Sequence, residues 1–194
     1  MSKKIVKILH TITSLDKGGA ENHVASLGVI QKKNLDDVKI FISKNSKYWL
    51  KILKKNNIDV IKSNFFFEES FFQKFYKLYK DIFQLVKIIN KYKPDVVHAH
   101  LPYMEIVSFF ALFLSSSKPK FIISKHVDNV YFQGSLGQKK NFKGSLLEKI
   151  VSKKANSIIA ISKSVKKFLI SDYVGIDKKK NKSNLLWNKQ IKYS

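Results

Sequence analysis

The chain has 194 residues, which suits one α/β core, and 44% of them are hydrophobic, enough to build a folded interior. It contains no cysteine, which excludes disulfide bonds and is compatible with a reducing compartment, the cytoplasm by default. The net charge of +23 comes from lysine alone. An A/T-rich gene encodes many lysines even when the protein binds no anionic partner, and attraction to anionic lipid is the second explanation. The lack of arginine argues against binding to nucleic acid.

Short apolar runs alternate with helical periodicity along the chain. Strands are predicted at Lys4–Thr11, Val38–Ser43, Asp59–Ile61, Asp95–Ala99, Phe121–Ser124 and Ser157–Ile161. Helices are predicted at Ala20–Lys32, Tyr48–Asn56, Phe71–Tyr92, Met104–Leu114, Gly144–Lys154 and Val165–Asp172. In the third helix, one face is formed by Phe75, Leu78, Ile82, Leu85 and Ile89. The alternation predicts an α/β fold, a Rossmann-like parallel sheet with helices on both faces.

The loops that follow the strands of such a sheet are the place to look for a site. Crossovers between parallel strands are right-handed, so these loops all open on the carboxyl edge, where ligands bind. The polar or glycine candidates in or just after these loops are Gly18, Gly19, Glu21, His98, His100, His126 and Ser162.

Two adjacent glycines, Gly18 and Gly19, separate the first strand from the first helix. A phosphate or sugar oxygen could reach the free N–H groups of the helix start because no Cβ blocks it. The alternative is a tight turn with a glycine at positive φ, and Glu21 is explained equally well by compensation of the helix dipole. The patterns GxGxxG and GxxxxGK[ST] are absent, so neither dinucleotide binding nor Walker-type phosphate binding is supported.

The histidine and serine candidates also have two interpretations each. His126 follows a buried strand, where it could exchange a proton near neutral pH or be structural. We expect only one of His98 and His100 to face the ligand edge. A metal site made of these three histidines and a carboxylate matches no zinc signature, so no metal is predicted. Ser162 directly precedes a helix, and capping is its alternative role.

Four segments carry a resemblance to a known family: KILHTITSLDKGGAENHVASL, KPDVVHAHLP, FIISKHVDN and ANSIIAISKSVKKFLI. In this order and spacing they resemble the N-terminal, acceptor-side domain of family 4 glycosyltransferases, one half of the GT-B fold. The likeness begins at Lys4 and ends near Ile176, so we assign residues 1–176 to this domain. Residues 177–194 form a basic tail for which we predict disorder or an out-of-frame origin in the lysine run before Asn181.

The resemblance implies an enzyme of polysaccharide or glycolipid assembly. It would transfer a sugar from a nucleotide-sugar to a glycan or lipid-linked acceptor, with retention of configuration and without a metal ion or other cofactor. By resemblance His126 is the catalytic residue beside the anomeric centre. Gly18, Gly19 and Glu21 then line the cleft near the donor phosphates, and His100 and Ser162 shape its floor.

The family's donor-binding domain would begin after Ile176, where eighteen residues remain. We therefore expect this chain alone to be inactive, whether its end is genuine or the result of a frameshift. The alternative is a non-catalytic subunit that binds an acceptor or partner and needs a donor domain in trans. No cleavable leader is predicted, and the most apolar window, Ile106–Leu114, is shorter than the ~20 residues of a spanning helix. We expect a cytoplasmic protein with at most peripheral contact at the inner face of the membrane.

Overall fold

A computed structural model describes residues 5–65, 71–126, 142–169 and 185–187 of the chain. The chain forms two compact units, Met1–Lys120 and Phe121–Ser194. Strands and helices alternate in each of them, which confirms the α/β architecture predicted from the sequence.

The first unit contains a parallel sheet and four helices. Its strands are β1 (Lys7–Ile12), β2 (Asp37–Ile42), β3 (Asp59–Lys62) and β4 (Val96–His100). Its helices are α1 (Gly19–Lys33), α2 (Leu50–Lys55), α3 (Phe71–Tyr92) and α4 (Pro102–Leu114). The strands lie in the order β3-β2-β1-β4 and every pair is parallel.

This strand order reverses direction next to β1. From β1 the chain steps outward to β2 and β3, and then α3 carries it back to β4 on the other side of β1. The boundary between β1 and β4 is therefore a topological switch point, from which the chain continues to helices on opposite faces of the sheet. Such a topological switch point is where open α/β sheets bind their ligands.

Helices cover both faces of this sheet, as predicted. On one face His10 of β1 meets Gln31 of α1, and on the other Thr11 of β1 hydrogen-bonds Ser108 of α4 at 2.8 Å. Successive residues of a strand point to opposite faces, so α1 and α4 lie on opposite sides. The core under α1 and α2 is apolar and consists mainly of Ile12, Leu15, Val24, Val38, Ile40, Ile42 and Leu53.

The second unit repeats the alternation on a smaller scale. It comprises β5 (Lys120–Lys125, starting at the last residue of the first unit), α5 (Phe142–Lys154), β6 (Ser157–Ala160), α6 (Lys163–Leu169) and β7 (Leu185–Trp187). Strand β6 pairs in parallel with β5 on one side and with β7 on the other.

Each strand and helix predicted from the sequence has a counterpart, and α3 has the predicted bounds. Strand β7 was not predicted. It lies in the tail and adds three apolar residues to the edge of β6, with Ile158 opposite Leu185. The other residues of the tail lie outside the described part of the chain. Among the described residues, no helix combines the length and the apolar character that crossing a bilayer requires.

Candidate functional site

The loop between β1 and α1 holds Gly18, Gly19 and Glu21, as predicted. Gly18 is the N-cap of α1 and has an extended backbone, with φ −176° and ψ 163°. Neither glycine has a positive φ, so the alternative of a tight turn with a left-handed glycine is wrong. A backbone of this kind is open to any residue. The reason for glycine at this loop must be spatial.

Space explains Gly18 directly. A Cβ on this residue would lie 2.2 Å from Oε2 of Glu21, far inside van der Waals contact. The Glu21 carboxylate thus folds back over the N-cap, and it also accepts a 3.4 Å hydrogen bond from the Ser14 hydroxyl. A carboxylate in the first turn is favourable at the positive end of the helix dipole. Glycine at position 18 therefore leaves room for the Glu21 carboxylate over the helix start, and a larger residue would displace this flexible side chain.

Gly19 is different, because a Cβ there would meet no atom of the described residues within 4 Å. It is the first residue of α1, whose first N–H groups have no acceptor inside the helix. The protein itself gives no steric reason for glycine at this position. The open space beside its backbone is what a ligand oxygen would need in order to approach.

A cleft of about 500 Å³ opens at the same edge of the first unit. It is lined by Asp16 from the loop after β1 and by Asn45, Ser46, Lys47 and Tyr48 from the loop after β2. The neighbouring Lys17 ammonium lies 5.2 Å from the centre of the Tyr48 ring. The edge therefore offers a cation, an aromatic face and several hydrogen-bonding groups, a lining that suits a polar ligand.

Three buried imidazoles lie together beneath this edge. His98 and His100 have ring centres 4.2 Å apart, and His10 of β1 lies 5.1 Å and 5.4 Å from them. The expectation that only one of His98 and His100 faces the ligand edge is wrong, because residues two apart in a strand share a face. His10 joins them because it stands directly opposite His98 in the β1–β4 pairing.

Hydrogen bonds fix which nitrogen of His10 carries the proton. The Nε2 atom of His10 lies 2.7 Å from Oε1 of Gln31, and its Nδ1 atom lies 3.2 Å from Nε2 of His100. An amide oxygen only accepts, so His10 carries its proton on Nε2 and offers a lone pair at Nδ1. Burial lowers the pKa of His10 to about 4, against the favourable hydrogen bond to Gln31, so the ring is neutral at physiological pH.

A second polar cluster, around the buried carboxylate of Asp81 in α3, supports the same edge. Asp81 accepts hydrogen bonds from Ser43, which follows β2, from Ser63, which follows β3, and from Tyr103 of α4 at 2.7 Å. The Lys77 ammonium lies 2.9 Å from the same carboxylate. Burial, followed by the charge of Asp81, raises the pKa of Tyr103 above its ordinary value, so its hydroxyl stays a donor. One carboxylate thus holds three chain segments at the ligand edge.

The backbone is strained between His100 and Pro102. Leu101 has φ 70° and ψ 146°, a region that bulky residues rarely adopt. The following proline disfavours a helical conformation at Leu101, and α4 must begin directly after it. Strain of this kind persists where the surrounding structure fixes it, and it clusters at functional sites.

In the second unit, His126 directly follows β5 and Ser162 follows β6. Each therefore stands at the carboxyl end of a strand, as predicted. The Ser162 hydroxyl accepts a hydrogen bond from the amide of Val165 at 3.2 Å, so its alternative role as a helix cap is confirmed. Before His126, Lys125 forms a buried ion pair with Glu148 of α5.

The structure places the candidate residues at the carboxyl ends of strands, as predicted, and adds residues that the sequence analysis did not identify. Gly18, Gly19, Glu21 and His100 share the carboxyl edge of the first unit, while His126 and Ser162 lie at strand ends of the second. Their roles in binding and catalysis stay predictions. Sequence reasoning missed His10, Gln31, Asp81, Tyr103 and Leu101. Only His10 gave a signal, as a polar residue inside an apolar strand.

Comparison with known proteins identifies the family. The family model described as Glycosyltransferase Family 4 matches residues 17–181. A search of curated protein sequences finds no match.

Solved structures give the fold. A glycosyltransferase from Rickettsia africae has a TM-score of 0.68 at 19% identity, covering 95% of this chain and 43% of its own. Sucrose-phosphate synthase from Thermosynechococcus elongatus has a TM-score of 0.68 at 14% identity, covering 93% of this chain and 47% of its own. Anabaena HepE, solved in complex with UDP and glucose, has a TM-score of 0.62 at 15% identity, covering 94% of this chain and 43% of its own.

The chain thus spans less than half the length of these structures. The predicted Rossmann-like architecture is confirmed by their fold, and the family model covers most of the sequence, including the glycine loop and the later histidine segments. The chain belongs to glycosyltransferase family 4.

Proposed function

We propose that this chain is the acceptor-side domain of a retaining glycosyltransferase. The enzyme would move a sugar from a nucleotide-sugar to a glycan or lipid-linked acceptor in polysaccharide or glycolipid assembly. The observation that carries the proposal is the open backbone of Gly19 at the switch point of a family 4 chain. The HepE structure with UDP and glucose supports a nucleotide-sugar as the donor class.

The groups at the β1–α1 loop suit the negative charge that develops on a leaving nucleotide diphosphate. When the bond from sugar to phosphate breaks, charge accumulates on the diphosphate oxygens. The first N–H groups of α1 and the ammonium of Lys17 would stabilise that charge without a metal ion. Gly19 would let a phosphate oxygen reach these N–H groups, because the space beside its backbone is open.

The strand ends supply the remaining roles. His126 would lie beside the anomeric carbon, where a neutral imidazole can accept or donate a hydrogen bond to the reacting sugar. His100 and Ser162 would shape the floor on which the acceptor rests. As the bond from the anomeric carbon to the acceptor oxygen forms, the bond to the diphosphate oxygen breaks, and the acceptor hydroxyl gives its proton to the departing diphosphate.

Donor binding would come from a second domain. We propose that this chain alone does not turn over a nucleotide-sugar and acts together with a donor-binding domain. The alternative is a non-catalytic subunit that binds an acceptor or partner and needs a donor domain in trans, and it predicts copurification with a separate donor-domain polypeptide.

The test is a transfer assay on the chain alone and mixed with a donor-binding domain from a family 4 enzyme, with panels of nucleotide-sugars. We expect turnover only in the mixture, and loss of it in Gly19→Ala and in His126→Ala. Gly28→Ala is the matched control, because it changes the same helix and its Cβ would meet Ile58 at an ordinary 3.6 Å. Turnover that survives in Gly19→Ala would refute the role of the glycine loop. Turnover by the chain alone would refute the need for a second domain.

The proposal includes peripheral contact with an anionic membrane through α3. The outward face of this helix is aromatic, and its exposed members are Phe72, Phe75, Tyr76, Tyr79 and Phe83. Lysines flank them, and the ammonium of Lys80 lies 5.0 Å from the centre of the Tyr76 ring. An amphipathic helix with aromatic residues beside lysines binds lipid interfaces rich in anionic headgroups.

Sedimentation with vesicles tests this contact. The protein should pellet with vesicles of phosphatidylglycerol and phosphatidylcholine in equal parts, and much less with phosphatidylcholine alone. Replacing Phe72, Phe75 and Tyr79 by serine should abolish pelleting. Ile30→Ser, an exposed aliphatic residue of α1, is the control. Equal pelleting of the triple variant and the control would exclude α3 as the contact.

A further inference from the structure

The cluster of His10, His98 and His100 has the properties of a metal-binding site. All three side chains are buried, and their ligand nitrogens lie within 4.8 Å of one another. The half-buried His23 of α1 lies next to them, with its ring centre 6.0 Å from that of His100. Four imidazoles therefore meet on one face of the β1–β4 pair, in a protein that contains five histidines.

The distances fit an ion between the rings. In a tetrahedral zinc site with bonds of about 2.0–2.1 Å, neighbouring ligand nitrogens lie about 3.3 Å apart. The Nδ1 atom of His10 and the Nε2 atom of His100 are 3.2 Å apart, so this pair already has the required separation. The third ring, His98, stands opposite His10 on the neighbouring strand, and its ligand nitrogen lies within 4.8 Å of those of the other two.

The hydrogen bonds also prepare the first ligand. The Nε2–H group of His10 donates a hydrogen bond to Oε1 of Gln31, with 2.7 Å between the nitrogen and the oxygen, so the lone pair at Nδ1 points into the cluster. Histidine ligands of metals usually donate their other N–H to an oxygen in this way, which fixes the ring. His100 would donate its Nε2 proton to His10 in the absence of an ion. When an ion replaces the hydrogen that lies between the two rings, His100 would carry its proton on Nδ1 and bind the ion through Nε2.

We propose that His10, His98 and His100 bind one late first-row divalent transition-metal ion, of which Zn²⁺ is the representative. Three imidazoles without a carboxylate select zinc, cobalt, nickel or copper over magnesium and calcium. The ion would join β1 to β4 beneath the switch point and fix the ring of His100. It takes no part in the sugar-transfer step proposed above, and the site does not depend on that function.

Cobalt titration of the untagged, chelator-treated chain tests the site. One Co²⁺ ion should bind per chain and give the intense visible absorption of a tetrahedral centre. Zn²⁺ should then displace the cobalt and abolish this absorption. Mg²⁺ should neither bind nor compete. Weak absorption typical of octahedral cobalt, or no binding at micromolar concentration, would overturn the proposal. Measurements on the wild-type protein are sufficient for this test.

Variants locate the site. His98→Ala and His100→Ala should each lose the absorption, whereas His126→Ala, the same substitution in the second unit, should keep it. Gln31→Leu should weaken binding about tenfold or more because the orienting acceptor of His10 is removed. This variant covers the case in which a histidine variant fails to fold. Unchanged affinity in Gln31→Leu, or loss of the signal in His126→Ala, would contradict the assignment.

Discussion

The buried carboxylate of Asp81 should be worth several kcal/mol to the first unit. Asp81→Asn keeps the size of the side chain but removes the charge beside the Lys77 ammonium, whose side chain is 14% exposed. Breaking a buried ion pair by neutralising one partner costs about 3–5 kcal/mol. Lys77 also donates to the carbonyl oxygens of Ser43 and Phe65. We therefore expect the lower end, about 3 kcal/mol. For a chain of this size that lowers Tm by about 6–12 °C.

Urea denaturation followed by circular dichroism measures this loss. The control is Asp59→Asn, since Asp59 pairs with Lys39 at 2.8 Å but the two side chains are 70% and 28% exposed. An exposed pair of this kind contributes less than about 1 kcal/mol. Equal losses in the two variants would refute the reasoning, because it assigns the larger loss in Asp81→Asn to the burial of that carboxylate and to the hydrogen bonds that it accepts. So would a loss below about 1 kcal/mol in Asp81→Asn.

Three further predictions concern the loops and the histidine cluster. Ser162→Ala should cost about 1 kcal/mol and speed amide hydrogen exchange in α6, and unchanged exchange would contradict the cap. Gly18→Ala should displace the Glu21 carboxylate from the helix start and cost its favourable interaction with the helix dipole, about 0.3–1 kcal/mol. Glu21→Ala should relieve that cost in the double variant, and strict additivity would exclude their contact. With chelator present, unfolding free energy should fall by about 3 kcal/mol as the pH drops from 6.5 to 4, because unfolded His10 binds a proton that the buried ring, with its pKa lowered to about 4, does not. His23, whose pKa burial also lowers, adds to the same slope, and a flat profile would show that the rings are not buried neutral.

The elements of the fold could be predicted because apolar periodicity is a local property. The limits of that information show in α3, whose bounds were predicted correctly but whose predicted inward face is buried only toward its C-terminal half. Leu85 and Ile89 are fully buried as expected, whereas Phe75 is 59% exposed and Asp81 is buried instead. A helix that is apolar on two sides gives no local sign of which side faces the core. The partners that make Asp81 a buried residue, Ser43 and Ser63, come from other strands.

The histidine cluster shows which step needs three dimensions. That His98 and His100 share a face follows from their spacing alone. His10 joins them only because β4 lies next to β1. The chain forms β2 and β3 on one side of β1 before β4 pairs with its other side. The spacing of His98 and His100 was enough to place both on one face, although our prediction put only one of them at the ligand edge, and strand order was needed to add His10.

The distribution of buried polar residues gives an independent sign of function. Buried polar groups cost free energy unless they are paired, so a purely structural strand is better built from apolar residues. Strand β2 follows that rule, with Val38, Ile40, Phe41 and Ile42 buried. Strands β1 and β4, which flank the switch point, carry the buried residues His10, Thr11, His98 and His100 instead. Stability alone would favour the pattern of β2 in all three strands. The departure from it occurs at the two strands beside the switch point, which is where open α/β sheets bind their ligands.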